Sequence, residues 1–425
     1  MARKMKDSGI EWIGEIPEGW ETCLYKYCCS VQPGYPFDSA KFSNSSTDGF
    51  PLIRIRDITS GEIQTYYTDS YDSSYIITAG DLLVGMDGDF NVRWWNNSDA
   101  LLNQRCCRII EKGRFSRRFL YYVLPFTLQY INTLTYATTV KHLANGDILN
   151  SFIAFPPLSV QKNITCYLDK NCSNIDSILS KTRSSIEEYK KLKQAVITQA
   201  VTKGVRGERE MKDSGVEWAG LVPHHWGVAK IGSIGQTSSG ATPLRSKEAS
   251  FFDDATIRWV RTLDLNDSLV YDSSEKITEL ALASSACSIM PKGTVCVAMY
   301  GGAGTIGKCG LLMSDCATNQ AVCSIVCNRE IVSPIFLLMQ LLALKSYWMK
   351  YAVGTRKDPN ISQDVVARMK ILIPPLDEQK EITDYLDAKC AEIDELIAKK
   401  EQLVKELEGY KKSLIYEVVT GKREV

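Results

Sequence analysis

The sequence has no excess of charge of either sign, few histidines and no long apolar run. Its 425 residues contain 50 Lys and Arg against 50 Asp and Glu, with three histidines. A zero net charge excludes a uniformly basic surface for nucleic acid but still allows a local basic face. The longest apolar stretch, Ile335 to Leu344, is too short to span a bilayer. Because polar residues follow Met1-Ala2-Arg3-Lys4, we expect no signal peptide, no membrane association and a cytoplasmic location.

The fourteen cysteines are not spaced as a metal or redox site. No Cys-x-x-Cys pair occurs, and His142, His224 and His225 stand at no zinc-ligand offset from a cysteine pair. Several cysteines lie in apolar, strand-like stretches, where cysteine acts as a small hydrophobe: Cys287, Cys296, Cys309, Cys323 and Cys327. We therefore expect buried free thiols and no metal in this chain.

Two segments of the chain occur twice. Met5–Trp12 recurs as Met211–Trp218 with seven of eight positions identical. Phe155–Asp169 recurs as Ile373–Asp387, and this second match continues without a gap to the Val-Thr pairs at 201–202 and 419–420. The order is therefore variable domain, repeat, variable domain, repeat. The predicted segments are 1–157 and 205–375 for the two domains, and 158–204 and 376–425 for the repeats.

Each long repeat has the pattern of a helix. Two prolines end the preceding strand, and Ser159 or Asp377 is a suitable N-cap. Apolar residues then follow at steps of three and four, which predicts a coiled-coil seam on a helix on the order of 65 Å long. The predicted seams are Ile164, Leu168, Cys172, Ile175, Leu179, Ile186, Tyr189, Leu192 and Val196, and then Ile382, Leu386, Cys390, Ile393, Ile397, Val404, Leu407, Tyr410 and Leu414.

The two seams are natural partners for each other. Antiparallel pairing would place the two variable domains at opposite ends, related by a pseudo-two-fold axis. The predicted fold class is α+β: two mixed α/β domains joined by two long antiparallel coiled-coil helices. The alternative is that each helix packs only on its own domain.

The variable domains share a framework. Gly80–Met86 and Gly293–Met299 each predict a buried strand after a turn, followed by a glycine-containing loop. Each domain then reaches an Asn-Gln pair before another strand, at 103–104 and 319–320. Framework residues match while loop residues differ, as expected of one scaffold that recognises two different sequences.

One loop matches nucleotide-binding patterns. Gly302–Lys308 fits Gly-x-Gly-x-x-Gly and also fits the Walker A spacing as far as Lys308. Both patterns require a helix to follow. Here Cys309–Leu312 predicts a strand, and Cys309 replaces the magnesium-binding Ser or Thr. We favour a loop that brings backbone and Lys308 near DNA phosphates.

No catalytic set can be assembled from the sequence. Pro156-Pro157 and Pro374-Pro375 partly match the Asn/Asp-Pro-Pro-aromatic motif of amino-methyltransferases, but Phe155 and Ile373 replace its polar residue. No nuclease, helicase or Ser/His/Asp constellation is present either. We therefore expect this chain to perform no covalent chemistry.

Loop donors are the candidate DNA contacts, because Arg, Lys, Asn and Gln match base edges and phosphates. Each alone also suits a structural role, since an Asn-Gln pair can satisfy a turn and Trp94-Trp95 suits a core. The candidates are Arg54, Arg56, Arg93, Trp94, Asn103, Gln104, Arg105, Lys141 and His142 in the first domain, and Thr242, Arg258, Arg261, Tyr300, Lys308, Asn319, Gln320, Arg356, Lys357 and Asn360 in the second.

The combination of motifs resembles the specificity subunits of type I restriction–modification systems. It consists of the Met-Lys-Asp-Ser-Gly-x-Glu-Trp openings, the Pro-Pro-Leu-x-x-Gln-Lys-x-Ile helix starts and the ending from Tyr410 to Lys422. The second domain adds Gly-Ala-Thr-Pro at 240–243, Ala-Thr-Asn-Gln at 317–320 and Asn-Ile-Ser-Gln at 360–363. The first domain departs from these motifs, with Gly34-Tyr35-Pro36 and Val140–Leu143 in the corresponding places.

The resemblance implies a mechanism. Each domain would recognise one half of a bipartite, asymmetric double-stranded DNA target, and the helices would set the unread spacer. Two modification subunits, carrying S-adenosylmethionine, would dock on the repeated parts, and restriction subunits using ATP and magnesium would join them. Two other hypotheses remain: a self-contained DNA methyltransferase or nuclease, and a non-specific coiled-coil adaptor.

Overall fold

The computed structural model describes residues 3–134, 141–301, 304–354 and 359–425. The chain forms two compact units. The first comprises residues 1–182 and 402–425, and the second comprises residues 183–401. Both boundaries fall inside the long helices, so each unit contains one variable domain and one half of each helix.

The first unit is built on two small sheets. The four-stranded sheet has the order β10-β9-β12-β4, and the five-stranded sheet has the order β5-β7-β6-β11-β8. The strands are β1 (Met5–Asp7), β2 (Glu15–Pro17), β3 (Glu21–Leu24), β4 (Cys29–Pro33), β5 (Phe42–Ser43), β6 (Phe50–Ile53), β7 (Tyr66–Tyr67), β8 (Ile76–Ile77), β9 (Leu82–Gly85), β10 (Val92–Trp94), β11 (Ala100–Leu102), β12 (Cys106–Glu111) and β13 (Phe152–Phe155). The helices are α1 (Ile55–Ser60), α2 (Arg117–Leu134), α3 (Asn145–Leu149) and the first part of α4 (Leu158–Lys203), with 3-10 turns at Tyr25–Tyr27, Ser39–Lys41 and Ser73–Tyr75.

The second unit has a closely similar plan. Its five-stranded sheet has the order β17-β25-β22-β23-β19, and its four-stranded sheet has the order β20-β18-β24-β21. The strands are β14 (Met211–Asp213), β15 (Leu221–Pro223), β16 (Gly227–Lys230), β17 (Gly235–Ser239), β18 (Ile257–Val260), β19 (Ser268–Val270), β20 (Glu275–Ile277), β21 (Ile289–Met290), β22 (Val295–Ala298), β23 (Cys309–Leu312), β24 (Cys316–Thr318), β25 (Val322–Cys327), β26 (Val353–Gly354), β27 (Pro359–Asn360) and β28 (Lys370–Ile373). The helices are the last part of α4, α5 (Ile231–Ile234), α6 (Glu248–Phe252), α7 (Glu279–Ala283), α8 (Pro334–Ala343), α9 (Trp348–Tyr351), α10 (Gln363–Arg368) and the first part of α11 (Leu376–Val419), with 3-10 turns at Arg245–Lys247, Thr262–Asp264 and Lys345–Tyr347. The last part of α11 belongs to the first unit.

The shared framework predicted for the two domains is present strand by strand. The predicted buried strands are β9 and β22, whose residues are all buried. Each unit has an equivalent parallel pair among its antiparallel strands, β11 beside β6 and β24 beside β18. The second unit has a further parallel pair, β19 beside β23. Leu101 lies opposite Leu52 in the first unit, and Ala317 lies opposite Trp259 in the second. Matching strand order therefore holds matching loops at the strand ends.

The repeated segments form helices of 46 and 44 residues, α4 and α11. The expected caps are wrong, because Ser159 and Asp377 lie inside the first turns rather than before them. The carbonyl of Pro157 accepts from the N–H of Gln161 at 3.0 Å, and Pro375 does the same for Gln379 at 2.9 Å. Each second proline thus provides the first helical acceptor, and its fixed φ favours entry into the helix.

The two helices pair with each other in both units. In the second unit, Lys193 Nζ lies 2.6 Å from the Asp394 carboxylate, and Lys400 lies over the Tyr189 ring at 5.6 Å. From the first pair to the second, the residue number decreases along α4 and increases along α11, so the two helices are antiparallel. In the first unit, Lys411 Nζ lies 2.6 Å from Asp176, and these residues are the repeat equivalents of Lys193 and Asp394.

Ten of the predicted seam positions are buried and six are half-buried, but two are exposed. Leu168 and Leu386 have no exposed surface, and Leu414 is 1% exposed. Leu192 is 48% exposed and Tyr410 is 50% exposed, so placing them in the seam was wrong. A straight helix drifts about 20° per heptad from a strict 3.5-residue repeat, and the buried face of α4 has moved to Ile197 and Val201 by its end.

Within the described residues, no helix is both long and apolar enough to cross a membrane.

Candidate nucleic-acid interface

Each domain presents the predicted Asn-Gln pair in a tight turn after a parallel strand. In the first domain the Asn103 carbonyl accepts from the N–H of Cys106 at 2.9 Å, which leaves Gln104 and Arg105 at the tip. In the second, Asn319 accepts from Val322 at 3.1 Å and leaves Gln320 and Ala321 at the tip. The tip residues Gln104, Arg105 and Gln320 are exposed, so their side chains lie at the surface of the domain.

A backbone hydrogen bond to the end of the neighbouring parallel strand anchors each turn to its domain. The Asn103 N–H donates to Ile53 at 3.2 Å and the Asn319 N–H donates to Val260 at 3.0 Å, and Arg54 and Arg261 directly follow these two residues. Their own N–H groups donate at 2.8 Å to the carboxylates of Asp57 and Asp264, which cap the next short helix. Asp57 is buried, and burial raises the pKa of its carboxyl against the opposing effect of these donors.

A second loop lies against the Asn103–Cys106 turn in the first domain. We call the surface formed by this turn and the loops beside it the edge of the domain, and we use the same name for the surface around the Asn319–Val322 turn. The N–H of Met86 donates to the Arg105 carbonyl at 2.9 Å, and the Leu143 N–H donates to Met86 at 2.7 Å. These bonds place Asp87 beside both Arg105 and His142. Asp87 Oδ1 lies 2.7 Å from His142 Nδ1 and 3.5 Å from the Arg105 guanidinium. The edge therefore combines an amide, a guanidinium, an imidazole and one carboxylate.

The second domain builds the same edge with other side chains. Thr242 donates a hydrogen bond to the Gln320 amide oxygen, and Tyr300 forms a backbone bridge with Asn360. Tyr300 is 47% exposed, and the Asn319 side chain accepts from the N–H of Ala321 at 3.2 Å. This edge carries hydroxyl and amide groups where the first domain carries charged groups.

Glycine allows a further loop to approach each turn closely. A Cβ atom on Gly34 would overlap the carbonyl of Asn103, and one on Gly240 would overlap the carbonyl of Thr318. The residues that follow are Tyr35 in one domain and the Ala-Thr pair at 241–242 in the other. This close approach explains the glycine of the Gly-Ala-Thr-Pro motif, and it brings the third loop to the edge.

Other predicted contact residues have partners within the first domain. Arg93 donates to the carbonyls of Ile58 and Thr59 at the end of α1, and Arg56 donates to Thr65 Oγ1 at 2.8 Å. Three more predicted residues also have intradomain partners: Trp94 lies 4.5 Å below the Arg118 guanidinium, Lys141 Nζ donates to Asn132, and the Arg54 guanidinium lies 5.7 Å from the Phe42 ring.

The second domain likewise holds two of its predicted arginines in ion pairs. Arg261 binds Glu275 at 2.5 Å and Ser274 at 2.9 Å, and Arg258 binds Asp272 at 3.1 Å. Arg356 and Lys357 lie outside the described residues. The structure therefore brings together Asn103, Gln104, Arg105 and His142 in one domain, and Thr242, Asn319, Gln320, Tyr300 and Asn360 in the other.

Sequence reasoning missed two residues at the first edge, Tyr35 and Asp87. Tyr35 is 46% exposed, forms a backbone bridge with Asn103 and packs 5.0 Å from the Tyr75 ring. Asp87 reaches the edge from a loop far from Arg105 and His142 in sequence. The available signal was the alignment of the two halves, in which Asp87 occupies the position of Tyr300.

The glycine-rich loop has strand, not helix, after it. Cys309–Leu312 forms β23, as predicted, and pairs with β22, so the segment that follows the loop is not the helix that both nucleotide-binding patterns require. Lys308 is half-buried, and within the described part of the chain its ammonium group makes no hydrogen bond or ion pair. The loop is therefore a connection between strands with one available cation.

The cysteines form no metal centre within the described residues, and all are free thiols. Most are buried, Cys166 is exposed, and Cys287 precedes β21 rather than lying in a strand. Burial raises the pKa of Cys106, Cys296 and Cys323 to about 12 each. Such thiols are protonated and unreactive at neutral pH, in accord with their role as small hydrophobes.

Comparison with known proteins gives a consistent result. A family model described as the type I restriction modification DNA specificity domain matches residues 17–188 and 223–406. The type I restriction enzyme EcoBI specificity subunit of Escherichia coli is 29% identical over 406 residues, which are 93% of this chain and 84% of that subunit. The MjaVIII specificity subunit of Methanocaldococcus jannaschii is 23% identical over 423 residues, covering 96% and 93%.

A solved structure supports the fold. A chain from a study of complex assembly and conformational transition in the type I R-M system superposes with a TM-score of 0.72 at 16% identity, covering 96% of this chain and 99% of that one. The matches confirm the resemblance inferred from the repeated motifs, and the fold class with it. Because the matched family model spans most of the sequence, this chain belongs to the type I restriction modification DNA specificity family.

Proposed function

We propose that this chain selects the DNA target of a type I restriction–modification complex by recognising a bipartite, asymmetric sequence, one half-site per domain. The main support for this proposal is that the two domains have edges with the same backbone and different side chains. The turns at Asn103–Cys106 and Asn319–Val322 have the same backbone bonds, but their surroundings differ in chemistry. If the edges had only a structural role, their side chains would not need to differ in chemistry. Two domains that recognise different half-sites do need different side chains there.

Methylome sequencing tests this proposal. Cells that carry the chain with its partner subunits should methylate one split motif, and cells that lack only this chain should not. Methylation of the same motif without the chain would contradict the proposal. Equal binding of the purified complex to cognate and random duplexes would instead favour the non-specific adaptor.

The long helices are proposed to set the unread spacer. Both helices run without a break, and in each unit their halves are joined by an equivalent ion pair, Lys193–Asp394 or Lys411–Asp176. Exposed pairs of this kind stabilise by less than about 1 kcal/mol each, so the rigidity comes mainly from the buried seam. A stiff connection is what a fixed spacer requires.

The repeated openings are proposed as docking sites for two modification subunits. Part of their identity is explained by the turn: Asp7 accepts from the N–H of Gly9 at 2.9 Å, and Asp213 accepts from Gly215 at the same distance. The exposed glutamate is not explained in this way. Glu11 accepts from Tyr130 and Glu217 pairs with Lys350, so an identical residue meets different neighbours.

A surface residue kept in both copies without a shared internal partner is well suited to bind the same external partner twice. Glu11→Lys and Glu217→Lys should each remove one modification subunit from the complex, as counted by native mass spectrometry. Glu62→Lys, an exposed change elsewhere in the first domain, is the matched control. Full stoichiometry in both opening variants would contradict docking at these motifs.

We also propose that the chain has no catalytic activity of its own. S-adenosylmethionine, ATP and magnesium would be bound by the modification and restriction subunits. The support is the set of edge residues, which present hydrogen-bond donors and acceptors without an activated nucleophile. Methyl transfer to DNA by the purified chain, free of partners, would contradict this and would favour a self-contained methyltransferase.

A further inference from the structure

Three side chains at the first edge form a connected group. The Asp87 carboxylate lies 2.7 Å from His142 Nδ1 and 3.5 Å from Arg105 Nη1, both measured at Oδ1. The side chains of Arg105 and His142 are 56% and 52% exposed, whereas that of Asp87 is 22% exposed. The carboxylate thus lies behind two donors that project outwards.

The backbone identifies the equivalent positions in the second domain. Met299 repeats both bonds of Met86: its N–H donates to the Ala321 carbonyl at 2.8 Å, and its carbonyl accepts from Ile361 at 3.0 Å. The bridge between Asp87 and His142 recurs between Tyr300 and Asn360. The group Asp87, Arg105 and His142 therefore corresponds to Tyr300, Ala321 and Asn360.

All three members of the group differ together between the domains. Where the arginine is replaced by alanine, the carboxylate that contacts it is also absent, although the supporting backbone bonds are unchanged. The fold therefore does not require Asp87. A carboxylate at a surface that meets DNA would repel phosphates unless cations neutralise it, so its presence is best explained by its effect on Arg105 and His142.

We propose that Arg105, oriented by Asp87, recognises a guanine in the half-site of the first domain, and that these three positions determine specificity in both domains. The guanidinium presents paired donors that match the O6 and N7 acceptors of guanine in the major groove. A carboxylate behind the guanidinium fixes the direction of the fork before binding, as second partners do at other sites. The assignment rests on the proposed function, because it requires that the first domain contacts base edges.

The second domain achieves recognition without a charge at this position. Its edge offers the amides of Gln320 and Asn360 and the hydroxyl of Tyr300. Amide side chains match adenine N6 and N7 better than guanine. The two half-sites should therefore differ in composition at the base pair that faces these positions.

The test is the motif recognised by the full chain in complex with its modification subunits, obtained by methylome sequencing and by selection from a random duplex library. Arg105→Lys retains the charge but removes the two-donor fork. It should lower the preference for guanine at one position of one half-site by roughly 5- to 150-fold. The other half-site should be unchanged, which also reports that the variant is folded.

Two further variants and one control complete the experiment. Asp87→Asn keeps Arg105 but weakens its orientation, so it should relax the same base pair to a smaller degree. The combined exchange D87Y/R105A/H142N installs the residues that the second domain already accommodates and should abolish the guanine preference. Arg114→Lys alters a similarly exposed arginine, paired with Glu21 at 2.7 Å, and should leave the motif unchanged.

The possible outcomes distinguish a failure of the guanine assignment from a failure of the proposed function. A defined wild-type motif that Arg105→Lys and Asp87→Asn leave unchanged, or that they relax at an A·T pair, would overturn the guanine assignment alone. A wild-type complex with no defined motif would overturn the proposed function and this assignment together.

Discussion

Two buried glutamines join the long helices to their domains, and their removal gives a quantitative test of the fold. Gln161 has no exposed surface. Its Oε1 accepts from the N–H of Ser116 at 2.9 Å, and its Nε2 donates to the carbonyls of Pro156 at 2.9 Å and Arg114 at 3.2 Å. One side chain thus satisfies three backbone groups at the start of α2 and at the entry to α4.

The second unit contains the same arrangement. Gln379 is also fully buried, and its Oε1 accepts from Ser333 at 2.8 Å. Its Nε2 donates at 2.9 Å to the carbonyls of both Pro374 and Ile331. The glutamine of the repeated Pro-Pro-Leu-x-x-Gln motif therefore has a structural explanation in both copies.

Leucine at either position has nearly the same size but makes none of these bonds. An unsatisfied buried donor or acceptor costs about 1–3 kcal/mol, and at least one N–H and one buried carbonyl would lose their partner. Gln161→Leu and Gln379→Leu should therefore each cost about 2–6 kcal/mol of unfolding free energy. This is a large fraction of the roughly 5–15 kcal/mol that stabilises a typical domain.

Guanidinium unfolding followed by circular dichroism measures this loss, with Gln199→Leu on the exposed side of α4 as control. Because a chain with two units need not unfold in one step, hydrogen exchange should localise the effect. Protection should fall in the first unit for Gln161→Leu and in the second for Gln379→Leu. Losses below about 0.5 kcal/mol in both variants would refute the account of these residues.

Three further predictions concern binding, pH and helix length. Lys308→Ala should weaken binding to all DNA sequences and lower the slope of the logarithm of the binding constant against the logarithm of salt concentration by about one unit. Gln320→Ala should instead cost about 1–3 kcal/mol of binding free energy on the cognate half-site only. Filter binding at several salt concentrations distinguishes the two effects. Burial raises the pKa of Glu378, but hydrogen bonds from His225, Arg209 and Trp226 outweigh it and lower the pKa overall. The ionised Glu378 therefore stabilises the fold above the ordinary glutamate pKa, and this contribution is lost as the pH falls through the lowered pKa. Glu378→Gln should consequently reduce the dependence of the unfolding free energy on pH in the acid range. An unchanged pH dependence in that range would contradict this role of Glu378. Insertion of one heptad into each helix, within Thr182–Glu188 and Lys400–Glu406, keeps the seam and should lengthen the methylated spacer by about three base pairs. A four-residue insertion in only one helix should instead break the pairing and abolish activity. An active heptad variant with the original spacer would show that the helices do not set the spacer length.

The repeats and helices were predictable because they depend on short-range sequence patterns. An apolar stripe at steps of three and four is visible in the sequence, and the second copy confirms the register of the first. The same pattern does not indicate how far the buried face rotates around the helix from one end to the other. Leu192 and Tyr410 fit the repeat but lie outside the buried face, since the straight helices depart from the ideal heptad.

The edge was predicted only in part because its contacts join distant segments. Gln104 and Arg105 stood out as polar residues before a strand, and the structure places them at a turn tip. Asp87 reaches them through backbone bonds from Met86, which a single sequence does not reveal. Arg93, Arg56 and Arg105 share one residue type, and all three have oxygen partners within the domain. Residue type alone therefore did not show which arginine lies at the turn tip.

The most direct test of the central claim, one half-site per domain, is an exchange of recognition domains. Residues 21–150 would be replaced by the equivalent segment of a related specificity subunit, with the helices and the second domain unchanged. Methylome sequencing would then compare the motif of the hybrid with those of both parents. The account predicts that one half-site changes to that of the donor, while the other half-site and the spacer stay the same. A change in both half-sites, or in neither, would contradict it.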